Sequence, residues 1–328
     1  MNLKEASLNV SLEDWGNGMK TPVIAVVGPT ATGKTSLSVE LAKITGSEII
    51  SADSMQIYCG MHIASAAPDD EEKKGVPHHL FEFLQRDEAY SVAEYVRDAA
   101  TVCEDIKKRG KTPLFVGGTG LYVSSFIDNI SFAEDKTDPS LREEISDEYD
   151  AVGGEEMIRR LALFDETAAL AIHPNNKKRV VRAFEIYRST GRTMTEQNEN
   201  SKTEPSPYIP YIIGLKAEDR QFIYDRIDRR VDIMLENGLL AEAESAFLEG
   251  SSETAVQAIG HKEFFPYFRG EISLDEAVET LKRETRRYAK RQLTWFGRDP
   301  RTEWINIDTA EDVLSEAVKI LERKGYFD

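Results

Sequence analysis

Cysteine is scarce. Two residues, Cys59 and Cys103, stand far apart in a chain of 328 and form no CxxC, which excludes a zinc knuckle and a disulfide framework. A reducing cytoplasm is the expected home. Long apolar runs are missing as well. None approaches the ~18 residues of a membrane span, and MNLKEASLNVSLEDWGNGMK at the start holds no apolar core of a secretory signal. No membrane association is expected. Positive charge is in deficit, with 41 Lys and Arg against 58 Asp and Glu and a net charge of −17. Taken globally, that argues against non-specific nucleic-acid binding. What is present is 41% apolar residues and 9% aromatics, enough for a sizeable core and too many for a disordered chain. The length suits one α/β core with an insertion.

The scarce basic residues are not scattered. Residues 177–192 (KKRVVRAFEIYRSTGR) carry a net +5, and residues 282–301 (KRETRRYAKRQLTWFGRDPR) a net +6, leaving −28 on the remainder. Such runs fit either solvated helix faces or a track for a polyanion.

Along the chain, TPVIAVV predicts a buried strand. A glycine-containing loop follows, then an amphipathic helix with Leu37, Leu41 and Ile44 on one stripe. EIISADS (48–54) reads as a second strand with a polar end. Residues 90–110 read as a helix with a Ser91–Glu94 capping box and a stop at Gly110. TPLFVGGTGLY (112–122) reads as strand, glycine turn and helix. This alternation predicts a parallel sheet with crossover helices. From residue 136 the pattern turns helical and charged, with turns at Gly153–Gly154 and at HPNN (173–176), up to a Pro/Ser-rich linker at 198–210. YIIGLK and WINID (304–308) resume the strands, and a helix ends the chain. The expected organisation is an α/β, P-loop-like core of residues 21–135 and 208–328, a helical insertion of 136–207, and a tail of 1–20.

Gly28–Thr35, GPTATGKT, completes G-x-x-x-x-G-K-[ST] between a strand and a helix. Backbone N–H groups and the helix N-terminus converge there on phosphate. Lys34 is expected on a terminal phosphate and Thr35 on Mg²⁺. The pattern specifies polyphosphate, not a nucleoside triphosphate. An NTPase usually adds a metal-binding Asp after a further strand and a group that positions water. Here PLFV ends in Gly117-Gly118-Thr119, and the acid is Asp53, after the second strand. Strand ends line the ligand crevice of such sheets, so Asp53 reads as metal ligand, general base or turn residue. His78 and His79 have no matching ligand cluster and read as structural. Of Arg220, Arg226, Arg229 and Arg230 on one helix, only a subset can face the site.

GPTATGKT, ISADSMQIY, VPHHLFEF, YSVAEY, VGGTGLYV, AIHPNNKKRVVRAFEIYRSTG, QAIGHKEF and TRRYAKRQLTWF occur in that order from about residue 22 to 307. Together they resemble the tRNA dimethylallyltransferase family in its short bacterial form. The resemblance implies transfer of a dimethylallyl group from dimethylallyl diphosphate to N6 of the adenosine 3′ of the anticodon. The loop Gly28, Pro29, Thr30, Ala31, Thr32, Gly33, Lys34 and Thr35 then cradles a leaving diphosphate, with Mg²⁺ on Thr35. It implies Asp53 as the base, with Lys34, Thr119 and Arg220 about the leaving group or target nucleotide. It implies tRNA contacts from Asp53, Ser54, Met55, Gln56, Thr119 and Arg142, and from Lys178, Arg179, Val180, Val181 and Arg182. The target base is expected to flip out of its stack, and a monomer is expected to act on the anticodon stem-loop.

The chain departs from the family pattern at Cys59–Pro68, CGMHIASAAP, where a basic residue, an Asp and a Lys are usual. It also departs at Glu166, His261 and Gly297. Two other classes compete with the transferase: a P-loop kinase of a small metabolite, and a tRNA-binding homologue with impaired catalysis.

Overall fold

The central strand, β1 (Thr21–Val27), is apolar on both sides and shows why a two-faced sheet forms. Val23, Ala25 and Val27 point into one core and Ile24 and Val26 into another, the period-two alternation of a strand covered by helices on both faces. The structure is a computed structural model and describes residues 20–132, 138–201, 204–250, 252 and 255–328. Nearly all of the expected tail lies outside the described residues.

In chain order, β1 leads through the phosphate-type loop to α1 (Lys34–Thr45), β2 (Glu48–Ser51), the one-turn helices α2 (His62–Ser65) and α3 (Asp70–Lys73), and β3 (His78–His79). Then come α4 (Val92–Lys108), β4 (Pro113–Gly117) and α5 (Gly120–Ile127). The helices α6 (Pro139–Val152), α7 (Gly154–Leu161), α8 (Glu166–Ala171), α9 (Lys177–Thr190) and α10 (Met194–Asn200) follow. The chain returns as β5 (Tyr208–Lys216), α11 (Arg220–Glu236), α12 (Leu239–Glu249), α13 (Phe265–Phe268), α14 (Leu274–Phe296), β6 (Glu303–Asn306) and α15 (Val313–Arg323). Among the described residues, six strands pair in the order β3-β2-β4-β1-β5-β6, every pairing parallel.

Two units emerge, residues 1–127 with 207–328, and residues 128–206. The first unit is discontinuous, and the second starts eight residues before the point at which the charge pattern turns. α10 occupies the first part of the expected linker, because Thr193 and Glu196 form a capping box that starts a helix there.

Within the α/β unit, α4 packs Tyr95, Ala99, Cys103 and Ile106 against one sheet face. Its Ser91–Glu94 capping box is present. Burial raises the Cys103 thiol to about 12, so it stays protonated and packs as a small apolar group. α1 and α15 cover the other face, where Leu37 and Leu41 are buried. Ile44 is only half-buried, since the inward stripe also recruits Ser38, Val39, Ala42 and Thr45.

At the amino end of β2, Glu48 has a buried carboxylate that accepts from His79 Nε2 at 2.7 Å, Arg109 Nη2 at 2.6 Å and Lys111 Nζ at 2.9 Å. His79 is therefore structural, as expected. Burial pushes this carboxyl up, but Arg109, Lys111 and His79 outweigh it and hold it at about 2. A depressed acid contributes stability above its unfolded value, near 4.3, and loses that contribution as pH falls toward 2. Glu48→Gln is expected to cost on the order of 1 kcal/mol at neutral pH. It should also flatten the loss of stability between roughly pH 4.5 and 2. Denaturant titrations across that window check both effects.

The helical unit has its own core. Ile145, Met157, Leu161, Val180, Val181 and Phe184 are buried together in it. Gly154 lets α7 start beside the Pro174 carbonyl, because a Cβ there would lie 2.2 Å from that oxygen. Asn176, the last residue of HPNN, caps α9 by accepting from the Arg179 N–H.

Candidate active site

The carboxyl ends of β1, β2 and β4 bring three loops together. The first runs from Gly28 to Gly33 and ends at the N-terminus of α1. Gly28 adopts φ 139°, and a Cβ there would sit 2.4 Å from the Leu215 carbonyl of β5, so glycine is required. Ala31 takes a left-handed φ of 65°, which costs a residue with a Cβ about 1–2 kcal/mol. Arg226 holds that turn by donating from Nε to the Ala31 carbonyl at 2.6 Å. Thr32 Oγ1 and Lys34 Nζ both donate to the Pro29 carbonyl, at 2.8 and 2.7 Å. The loop is thus closed on itself before any ligand arrives. Thr35, in the first turn of α1, is half-buried, and its hydroxyl makes no hydrogen bond to the described residues.

The second and third loops form one body. Thr119 N–H donates to the Ala52 carbonyl at 3.1 Å. Its hydroxyl accepts from Ser54 N–H at 2.9 Å and donates to Ser54 Oγ at 3.2 Å. A Cβ at Gly117 would lie 2.1 Å from the Ala52 carbonyl, so the close approach depends on that glycine. Asp53 Oδ1 accepts from Met55 N–H at 2.9 Å. Met55 packs against the core. Gln56 accepts from Ser51 Oγ at 3.0 Å and reaches the Ser65 and Ala66 carbonyls. Burial raises the Asp53 carboxyl above its usual range, while the Met55 N–H and the Lys34 charge pull the other way. Lys34 is pushed down to about 7 by burial and by Arg230, with Asp53 opposing. A carboxyl displaced toward neutrality next to an ammonium displaced toward neutrality marks a built polar site.

The arginines answer the question of facing. Arg226 and Arg230, one turn apart on α11, turn toward the loop and Asp53. Arg220 instead sits exposed at the first position of α11 and bonds to nothing in the loop. The structure thus brings Arg226 and Arg230, rather than Arg220, to the phosphate-type loop. The apolar stripe Ile223–Ile227–Val231 fixes the helix rotation and was the available signal. Two further residues come from α14, far away in sequence. Gln292 bonds both the first and third loops, and the Tyr288 phenol faces Asp53 beside Thr119 and Gln292.

The divergent segment Cys59–Pro68 is held firmly. The Glu242 carboxylate caps α2 by accepting from Ile63 N–H at 2.8 Å and Ala64 N–H at 2.9 Å, and it accepts from His261 Nε2 at 2.8 Å. Burial works against that carboxylate, yet His261 and the two N–H groups keep it ionised below the usual range. His261, one of the departures from the family pattern, thus partners the segment's own cap. Among the described residues, no cluster of three His, Cys, Asp or Glu side chains forms a metal cage, and no helix is long and apolar enough to cross a membrane.

In the helical unit, Lys178 and Arg179 are exposed in the first turn of α9. Arg142 and Arg182 both donate to Glu185 Oε2, at 3.1 and 3.0 Å, and keep about half to a third of their side-chain surface exposed. Val180 and Val181 are core residues, 0% and 7% exposed. Their expected role as tRNA contacts is corrected: helical periodicity turns 178, 179 and 182 outward and 180 and 181 inward.

Comparison with known proteins agrees with this geometry. The family described as IPP transferase matches residues 56–299, and the one described as isopentenyl transferase matches residues 21–85. A tRNA dimethylallyltransferase of Bacillus licheniformis is 48% identical over 293 residues, 89% of this chain and 92% of that protein. That of Bacillus subtilis is 43% identical, over 90% and 94% of the two chains. The full-length tRNA isopentenylpyrophosphate transferase from Bacillus halodurans superposes with a TM-score of 0.70 at 41% identity, covering 94% of this chain and 97% of that one. A eukaryotic dimethylallyltransferase acting on tRNA gives a TM-score of 0.77 at 28% identity, covering 93% and 79%. Matched along nearly its whole length in sequence and in fold, this chain belongs to the tRNA dimethylallyltransferase family.

Proposed function

We propose that this protein transfers the dimethylallyl group of dimethylallyl diphosphate to N6 of the adenosine 3′ of the anticodon, releasing diphosphate. The observation that carries this reading is the position of Asp53, in a loop that Thr119 holds through Ala52 and Ser54 at the strand ends, beside a phosphate loop with Lys34, Arg226 and Arg230 around it. A kinase needs neither a buried carboxyl of raised pKa there nor relatives of this kind.

The residues account for each part of the reaction. N6 is a weak nucleophile because its lone pair is delocalised into the ring. As N6 bonds C1 of the donor, the C1–O bond breaks and the N6 proton passes to the Asp53 carboxylate. The raised pKa of Asp53 makes it a stronger base than an exposed carboxylate. The negative charge developing on the leaving diphosphate meets Lys34, Arg230, the loop N–H groups and the positive end of α1. The half-buried Thr35 hydroxyl fits Mg²⁺, which takes one or two protein oxygens and fills its shell with phosphate oxygens and water. When bound there, Mg²⁺ would neutralise charge on the diphosphate. The flipped adenosine would lie against Asp53, Ser54 and Thr119, while Lys178, Arg179, Arg142 and Arg182 take RNA phosphates.

Incubation with an anticodon stem-loop RNA and dimethylallyl diphosphate, read by mass spectrometry of the nucleosides, tests the reading. A dimethylallyl-adenosine product supports it. Tight ATP binding without pyrophosphate binding or product would overturn it. For the RNA face, Lys178→Ala with Arg179→Ala is expected to weaken tRNA and reduce the slope of log affinity against log salt by roughly 0.7–0.9 per lost phosphate contact. Pyrophosphate affinity should be unchanged, because the phosphate loop belongs to the other unit. Superimposable salt titrations would move the RNA track to the basic stretch 282–301.

A further inference from the structure

The first loop, Pro29–Gly33, makes no direct hydrogen bond to the fused second and third loops, 52–56 and 117–119. Among the described residues, one side chain spans the gap. Gln292 on α14, 4% exposed, accepts from Thr30 N–H at 2.8 Å through Oε1 and donates from Nε2 to the Gly118 carbonyl at 3.0 Å. The orientation of the amide is fixed by its neighbours, since an N–H only donates and a carbonyl only accepts. Gly118 is shaped for it: a Cβ there would lie 1.9 Å from Nε2. The next turn of α14 repeats the fit, with Trp295 filling the space that a Cβ at Gly120 would need.

We propose that Gln292 is a positioning residue that sets the distance between the diphosphate cradle and the Asp53–Thr119 body. The inference rests on the transferase reading above, in which the first loop holds the leaving group and the second body holds the nucleophile. Each half keeps its own contacts without Gln292. The loop retains the Thr32, Lys34 and Arg226 bonds to Pro29 and Ala31, and the body retains the Thr119–Ala52 and Thr119–Ser54 bonds. Binding of either substrate should therefore survive the loss of the bridge, whereas alignment of N6, C1 and the leaving oxygen should not. A misplacement of about 1 Å between reacting groups costs on the order of 10²-fold in rate.

Two variants test this in the full-length protein. Gln292→Met keeps the volume and removes both bonds. Gln292→Glu keeps the shape and turns a carboxylate oxygen toward the Gly118 carbonyl, so it serves if the methionine variant folds poorly. The expected result for a folded variant is a kcat about 10²-fold below wild type, with the KM values for dimethylallyl diphosphate and stem-loop RNA and the affinity for inorganic pyrophosphate each within about threefold. Unchanged kcat would overturn the proposal. So would KM or pyrophosphate affinity weakening in step with kcat, since Gln292 would then be a wall of one binding site. Wild-type protein assayed alongside separates the two claims: a wild type without transfer activity overturns the transferase reading, and the bridge falls with it.

Discussion

Asn at position 53 is expected to lower kcat by about 10²–10⁴-fold, the range for removing a general base, with little change in the KM for the donor. The substitution is mild by design. An amide oxygen at the same place still accepts the Met55 N–H that Asp53 Oδ1 accepts at 2.9 Å, so the loop keeps its shape. Only the ability to take a proton is lost. The pH profile makes the assignment specific. Burial raises the Asp53 carboxyl above the ordinary carboxylate range, and the base works only when ionised. The wild-type rate should therefore fall with acid at a pH higher than a surface carboxylate would set. The residual rate of Asp53→Asn should lack that acid limb. Single-turnover kinetics across pH check both parts. A variant of near-wild-type rate, or one that keeps the acid limb, removes Asp53 from proton transfer.

Much of this site was legible in the chain, because its parts are local. GPTATGKT announces a loop whose glycines and helix start are all within eight residues, and Asp53 and Thr119 each follow a short strand, EIIS and PLFVG. Parallel pairing then brings the strand ends together without further information. What escaped was non-local. Arg226 and Arg230 differ from Arg220 only in which way α11 is rotated, and the buried stripe of Ile223, Ile227 and Val231 decides it. Gln292 and Tyr288 lie in a helix whose basic charge drew the eye to its outer face, while the chemistry sits on the inner one. Val180 and Val181 show the opposite error. A contiguous tRNA segment carried over from the family includes residues that a helix must turn inward. The Cys59–Pro68 segment was legible only as a departure, since its anchors, Glu242 and His261, lie nearly two hundred residues away.

Lys34→Met is expected to weaken inorganic pyrophosphate by about 10- to 100-fold, the equivalent of the roughly 1.5–3 kcal/mol carried by a charged hydrogen bond. Turnover should fall by about 10²–10³-fold, because charge on the leaving diphosphate grows in the transition state. The ionisation of Lys34 gives a sharper signature. Burial and Arg230 push the free lysine down to about 7, and an incoming diphosphate raises it again. A group whose pKa rises on binding contributes its full affinity below the free value and loses it as pH climbs. The lysine's share of pyrophosphate affinity should thus be complete below about pH 7 and decline above it, while the ligand's own ionisation affects both proteins alike. The wild-type-to-variant affinity ratio isolates that share, and calorimetry in two buffers should show more proton uptake in the wild type than in the variant. Stability runs the other way. In the ligand-free protein the folded state binds fewer protons than the unfolded chain between about pH 7 and 10, so stability rises with pH there, and the cost of burying the ammonium is fully present below 7. Methionine removes that cost, and the variant should unfold at the same temperature as the wild type or a higher one near neutral pH. A variant that binds pyrophosphate poorly yet unfolds no earlier separates a functional charge from a structural one; a pH-independent affinity ratio would show that Lys34 is charged in the free site and that its ionisation plays no part in capturing the diphosphate.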